Sequence, residues 1–128
     1  GNRLFFLEPL EATAIEASLL WTRQTFDWII NNTTTPDHIS QEIINYTHQL
    51  QNFVLWHYMY GSKYDTPFWK AAKNLKIEDP IFNDFLTYSK KLSMADLLDT
   101  SSIFLNENYG QWQLWNFKYW IDGMTKQS

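Results

Sequence analysis

The sequence predicts an all-α protein: an array of about five to six helices, two of them long, with a short extended segment at the N-terminus. Three observations carry that expectation. Each of the four prolines follows a residue able to cap or turn and opens a helical pattern, at Glu8-Pro9, Thr35-Pro36, Thr66-Pro67 and Asp79-Pro80. Proline is favoured at the first helical position because its missing N–H would lack an intrahelical partner there anyway. Apolar residues recur at the alternating four-and-three spacing of a helix face rather than at every second position. Only Arg3 to Leu7 reads as extended, and a lone strand has no partner.

The first helical segment runs from about Pro9 to Asn31 and carries two stripes, one at Ala14, Ala17, Trp21 and Trp28, the other at Ile15, Leu19, Phe26 and Ile29. Two stripes imply a helix packed on more than one side. A polar loop at Asn31 to Thr35 leads into a long helix from Pro36 to Tyr60, with Ile39, Ile43, Tyr46, Leu50, Phe53, His57 and Tyr60 on one face and Gly61 as its left-handed cap. Shorter helices follow at Pro67 to Leu75, Pro80 to Leu92 and Met94 to Asp99. Ser93 with Asp96 three residues on forms a variant of the capping box for the last of these. A final helix spans Trp112 to Asp122 and is closed by Gly123. There is no internal repeat, and the 128 residues are read as a single helical domain.

Composition narrows the function classes. Ten Lys/Arg against fourteen Asp/Glu give a formal charge of −4 with no basic block, which removes the electrostatic footprint of a nucleic-acid binder. No apolar run approaches the ~20 residues that cross a bilayer, and the N-terminus lacks the order of a signal peptide, so no membrane partner and a cytoplasmic location are expected. With no cysteine there is no disulfide framework, thiolate metal site or cysteine nucleophile. His38, His48 and His57 never share the i,i+4 spacing of a helical metal site, so no metal is expected, and His57 on its apolar stripe reads as a hydrogen-bonded core residue. Aromatic residues make up 18% of the chain, more than a core of this size hides, and large rings with a polar edge belong to ligand pockets and protein interfaces.

The informative stretch is Arg3 to Ile15, where an apolar strand enters a turn with two carboxylates, Glu8 and Glu11, and then a long helix. Read from the residues alone, two meanings stay open. Glu11 sits in the first turn and complements the helix dipole or reaches back to cap it. Alternatively, a carboxylate beside the free N–H groups of a helix start is a chemical pairing, since those groups seat anions.

Residues Phe5-Phe6-Leu7-Glu8-Pro9-Leu10-Glu11-Ala12-Thr13-Ala14-Ile15 resemble the E-P-L-E-[SA]-T-[GAS]-I stretch of flavin-dependent tryptophan halogenases. Phe53-Val54-Leu55-Trp56-His57-Tyr58, followed by Tyr64-Asp65-Thr66-Pro67-Phe68-Trp69, is similar to that family's F-[IV]-x-x-H-Y and D-[TS]-P-F-W pair in order and spacing. A looser match runs from Ile103-Phe104 through Asn108-Tyr109 to Gly123. The resemblance implies an enzyme in which reduced flavin and oxygen form a hydroperoxide, a halide attacks it, and hypohalous acid travels through a tunnel to a lysine beside an aromatic or indole substrate. Glu11 then matches the catalytic carboxylate beside the substrate, a pre-placed anion that stabilises charge developing on the ring. Thr13 and Ala14 match positions whose backbone amides bind halide, chloride or bromide, while Pro9 and Leu10 fall beside the cofactor. Phe104, Asn108 and Tyr109 lie where the family supplies substrate contacts. Ala14 stands where tryptophan-specific members usually carry glycine; a left-handed backbone there would cost alanine roughly 1 kcal/mol.

The rest of such an enzyme is missing. The four glycines, at 1, 61, 110 and 123, form no G-x-G-x-x-G run, the W-x-W-x-I-P signature is absent, and no lysine matches the catalytic one. The chain opens inside a motif and is expected to be the C-terminal part of a larger halogenase-like protein. FAD belongs to the intact parent and none is expected on this chain alone. The expected partners are the missing N-terminal FAD domain and, through uncovered apolar surface, a second copy. The competing expectation is a stand-alone helical module that binds another protein, with Glu8 and Glu11 serving only to start a helix.

Overall fold

A computed structural model of the chain describes residues 13–60, 62–93, 95–96 and 108–125. The expected strand at residues 3–7, the cap at Gly61 and most of the helix expected at Met94 to Asp99 lie outside them. The described residues are mainly helical, with α1 at Thr13–Phe26, a π-helical turn at Asp27–Asn31, α2 at Pro36–Tyr60, α3 at Pro67–Lys73, α4 at Pro80–Lys91 and α5 at Leu114–Thr125. Two short strands, β1 at Asn108–Tyr109 and β2 at Trp112–Gln113, pair antiparallel with Asn108 opposite Gln113 and Tyr109 opposite Trp112. The chain divides into two compact units, residues 1–54 and 55–128.

In the first unit, the stripes of α1 behave differently. Ala17 and Trp21 are buried, whereas Ile15, Leu19, Phe26 and Ile29 are exposed. Side chains join α1 to α2: Gln24 Nε2 donates to Glu42 Oε2 at 2.8 Å. Along α2, Ile39, Leu50 and Phe53 are buried, as their shared face requires. The helix starts where Thr35 Oγ1 accepts from His38 N at 3.2 Å, with Pro36 as first helical residue. Between the two helices, Asn32 takes a left-handed backbone (φ 49°) and its N–H donates to Trp28 O at 3.1 Å.

The second unit is built on rings. Trp56 stacks on Phe117 (centroids 5.2 Å apart), and Phe82 meets Trp56, Phe117 and Tyr109 edge-on at 5.8, 5.5 and 5.2 Å. Such offset and edge-to-face pairs add to the area they bury. Asp79 caps α4, its Oδ1 accepting from Ile81 N at 2.9 Å and Phe82 N at 3.2 Å. Thr66 caps α3 through Trp69 N. Ser89, fully buried, donates to Phe85 O at 2.6 Å and reaches Leu114 O at 3.5 Å, fixing α4 against the start of α5. The Ser93–Asp96 box forms as expected: Asp96 Oδ2 accepts from Ser93 N at 2.7 Å, and Ser93 Oγ accepts from Asp96 N at 3.2 Å.

Two expectations are corrected here. Trp112 and Gln113 belong to a hairpin and not to the last helix, because Gly110 at φ 61° occupies the first central position of a two-residue turn and lets Tyr109 and Trp112 face each other in the core. Nor does Gly123 close that helix. Helix α5 runs through it to Thr125: Gly123 is exposed, forms no left-handed turn, and a Cβ there would meet nothing within 4 Å.

Candidate functional site

Of the residues marked by the motifs, Pro9, Leu10, Glu11 and Phe104 lie outside the described residues. Thr13 and Ala14 open α1. Ala14 is in right-handed helix and carries none of the strain that a left-handed backbone would impose.

Asn108 and Tyr109 are neighbours on β1 and therefore point to opposite faces. Asn108 is exposed. Tyr109 is completely buried, among Phe82, Phe85 and Phe117, and its hydroxyl donates to Asp79 Oδ2 at 2.6 Å. The Asp79-Pro80 step marks a helix cap in the sequence; nothing local signals that the second oxygen of Asp79 receives a tyrosine thirty positions away.

His57 lies half-buried with its ring tilted over Trp120 at 4.0 Å and edge-on to Trp56 at 5.8 Å. Tyr58 stacks on Trp69 at 5.7 Å, and Phe68 meets both rings edge-on. Tyr58 of one similar motif is thus joined by rings to Phe68 and Trp69 of the other inside the second unit. Tyr46 in the first unit has its pKa pushed up to about 12, mainly by burial and further by the negative charge of Glu16.

Three clefts open between α1 and α2. One of about 170 Å³ is lined by polar groups including Gln24, Asp27, His38 and Glu42, with His38 Nε2 3.8 Å from Glu42 Oε1. A second, of about 240 Å³, is lined by Trp21, Asn45, Tyr46 and Gln49 among others. The largest, about 530 Å³, is lined by Trp21, Phe26, Ile29 and Ile43 with Ser18, Thr22 and Thr25. No lysine or arginine lines any of the three. No group of three His, Asp or Glu among the described residues is placed to hold a metal, and no described helix is long and apolar enough to cross a membrane.

The described residues are thus mainly helical, with a core of packed rings in the second unit. The chain belongs to the tryptophan halogenase family, whose model matches residues 1–127. It is similar to the tryptophan 6-halogenase ThaL of Streptomyces albogriseolus, 26% identical over 126 residues, a match covering 92% of this chain and 22% of that protein. The chain therefore spans less than a quarter of the length of the curated relative it matches. No solved structure matches it.

Proposed function

We propose that this chain supplies the C-terminal, substrate-side helical part of an FAD-dependent halogenase-like protein acting on an aromatic or indole substrate, and that it is inactive by itself. The observation that carries this reading is the pairing of a family match along residues 1–127 with a span of only 22% of a full-length relative. In this reading the Glu11 carboxylate lies beside the substrate ring and stabilises positive charge as the electrophilic halogen adds, the amides of Thr13 and Ala14 hold the halide, and Pro9 and Leu10 border the cofactor. Asn108, exposed on β1, and Phe104 contact substrate, with Tyr109 anchoring the strand that presents Asn108. Bound to the intact parent, FAD in its reduced form would supply, with oxygen, the oxidant for halide. The roles assigned to this chain's own residues are binding and charge stabilisation, and no step of this chain is routed through flavin.

Its partners are the FAD-binding remainder of a halogenase and a second copy of this chain. The exposed second stripe of α1 supports a binding role as well, since apolar surface of this kind marks contact with another protein. The test is incubation of the chain with FAD, a flavin reductase, bromide and tryptophan. No halogenated product is expected; turnover by this polypeptide alone overturns the reading.

A further inference from the structure

We infer that Asp79 is a positioning residue for substrate binding, acting through Tyr109 on Asn108. The inference rests on the substrate contact given to Asn108 above and adds the device that holds this contact in place. β1 and β2 have two residues each and share two residue pairs, Asn108 with Gln113 and Tyr109 with Trp112. A hairpin so short is at best marginally stable by itself, so the place of its outward side chains is set by whatever fastens it. The fastening comes from α4. At the start of that helix Asp79 Oδ2 accepts from the Tyr109 hydroxyl at 2.6 Å, and near its end buried Ser89 Oγ comes within 3.5 Å of Leu114 O, the first carbonyl after β2. One helix therefore holds the hairpin from both strands.

Of the two contacts, the one at Asp79 sets the position of β1. Ser89 has a single hydroxyl proton and gives it to Phe85 O at 2.6 Å, so its approach to Leu114 O is close packing more than a bond. The Tyr109 contact has the length of a hydrogen bond to a charged oxygen, the stronger kind. Asp79 cannot drift to follow its partner, because its Oδ1 holds the amides of Ile81 and Phe82 and so fixes Oδ2 relative to α4. The tyrosine ring is completely buried against Phe82, Phe85 and Phe117, and this packing passes the position of the hydroxyl on to its own Cα. Asn108 is the next residue, about 3.8 Å away along the chain and facing the other side of the strand. Without its acceptor, the buried hydroxyl gains by tilting towards water, and β1 moves with it. A displacement of about 1 Å is enough to spoil a contact that orients a substrate.

The test measures tryptophan binding and bromination by this chain joined to the FAD-binding body of a tryptophan halogenase. Asp79→Ser keeps an oxygen to cap α4 and removes the one that receives Tyr109, while Tyr109→Phe removes the donor and keeps the ring. Each is expected to raise the Kd for tryptophan about fivefold with kcat at saturating tryptophan retained, a split that a general loss of folded protein does not produce. Asn108→Ala also raises Kd, and in that background Asp79→Ser adds nothing further, because its effect runs through Asn108. If Asn108→Ala raises Kd while Asp79→Ser and Tyr109→Phe leave it alone, or if the effects of Asp79→Ser and Asn108→Ala simply add, the positioning role is overturned and the substrate contact stands. A fall in kcat at unchanged Kd in both Asp79→Ser and Tyr109→Phe overturns it as well. If Asn108→Ala leaves Kd unchanged, or the joined protein binds no tryptophan, the reading of Asn108 falls and the inference falls with it.

Discussion

Asp79 and Tyr109, thirty positions apart, meet at 2.6 Å, with the tyrosine hydroxyl donating to Asp79 Oδ2 while Asp79 Oδ1 receives the first amides of α4. One carboxylate thereby fastens the β-hairpin to the start of a helix. The contact also orients β1: because Tyr109 is held inward, its neighbour Asn108 faces outward. Tyr109→Phe is expected to lower stability by about 2 kcal/mol, the loss of a hydrogen bond to a charged acceptor. Asp79→Ala removes the helix cap as well and leaves a buried hydroxyl short of its acceptor, for a cost of about 3 kcal/mol. Urea unfolding of the two variants and their double mutant checks this; strictly additive losses contradict the coupling.

Acid should loosen the Ser93–Asp96 box. The amide and hydroxyl of Ser93 hold the Asp96 carboxyl below its ordinary value of 3.8. A carboxylate whose folded pKa is depressed contributes stability above its unfolded pKa, and the contribution is lost as pH falls through the folded value. The side chain is fully solvent-accessible, so the effect is local. An NMR titration of Asp96 should give a midpoint below 3.8, and Ser93→Ala should return it towards that value.

Tyr46 should titrate far above a free phenol. Burial comes first and Glu16 second in pushing it up to about 12 from 10.0. A folded pKa raised above the unfolded one contributes stability that is complete below pH 10 and disappears as pH rises towards 12. Ultraviolet difference titration should show a late tyrosine step that Tyr46→Phe removes, and Glu16→Gln should lower the Tyr46 midpoint only in part.

Much of this architecture is legible in the sequence because its signals are local. Thr35-Pro36, Thr66-Pro67 and Asp79-Pro80 place three helix starts, each confirmed by a side-chain cap, and the Ser93–Asp96 spacing places a fourth. The hairpin at 108–113 is not legible: Trp112 to Trp120 carries a helical spread of rings, and only Gly110 in its left-handed turn separates strand from helix. Gly123 resembles a stop, yet glycine within an exposed last turn costs only about 1 kcal/mol and packing of Phe117 and Ile121 carries α5 past it. The burial of Tyr109 depends on Asp79, on Phe82 and Phe85 of α4 and on Phe117 of α5, a tertiary fact with no local signature. For the motif residues, Thr13 and Ala14 lie in the first helix as expected, while Glu11, Pro9, Leu10 and Phe104 fall outside the described residues.

Halide should find the start of α1. Crystals soaked in bromide are expected to show anomalous scattering within hydrogen-bond reach of the Thr13 and Ala14 amides, the positions that match the family's halide-binding stretch. Bromide located only at surface lysines would remove the halide role from these residues.

The role of Glu11 is tested most directly in a chimera that joins this chain to the FAD-binding body of a tryptophan halogenase. Bromination of tryptophan by the chimera should fall by on the order of 10²–10³ in kcat on Glu11→Gln, with halide binding retained, because the substitution removes the charge that steadies the ring in the transition state. Unchanged kcat in the Glu11→Gln chimera would contradict the account.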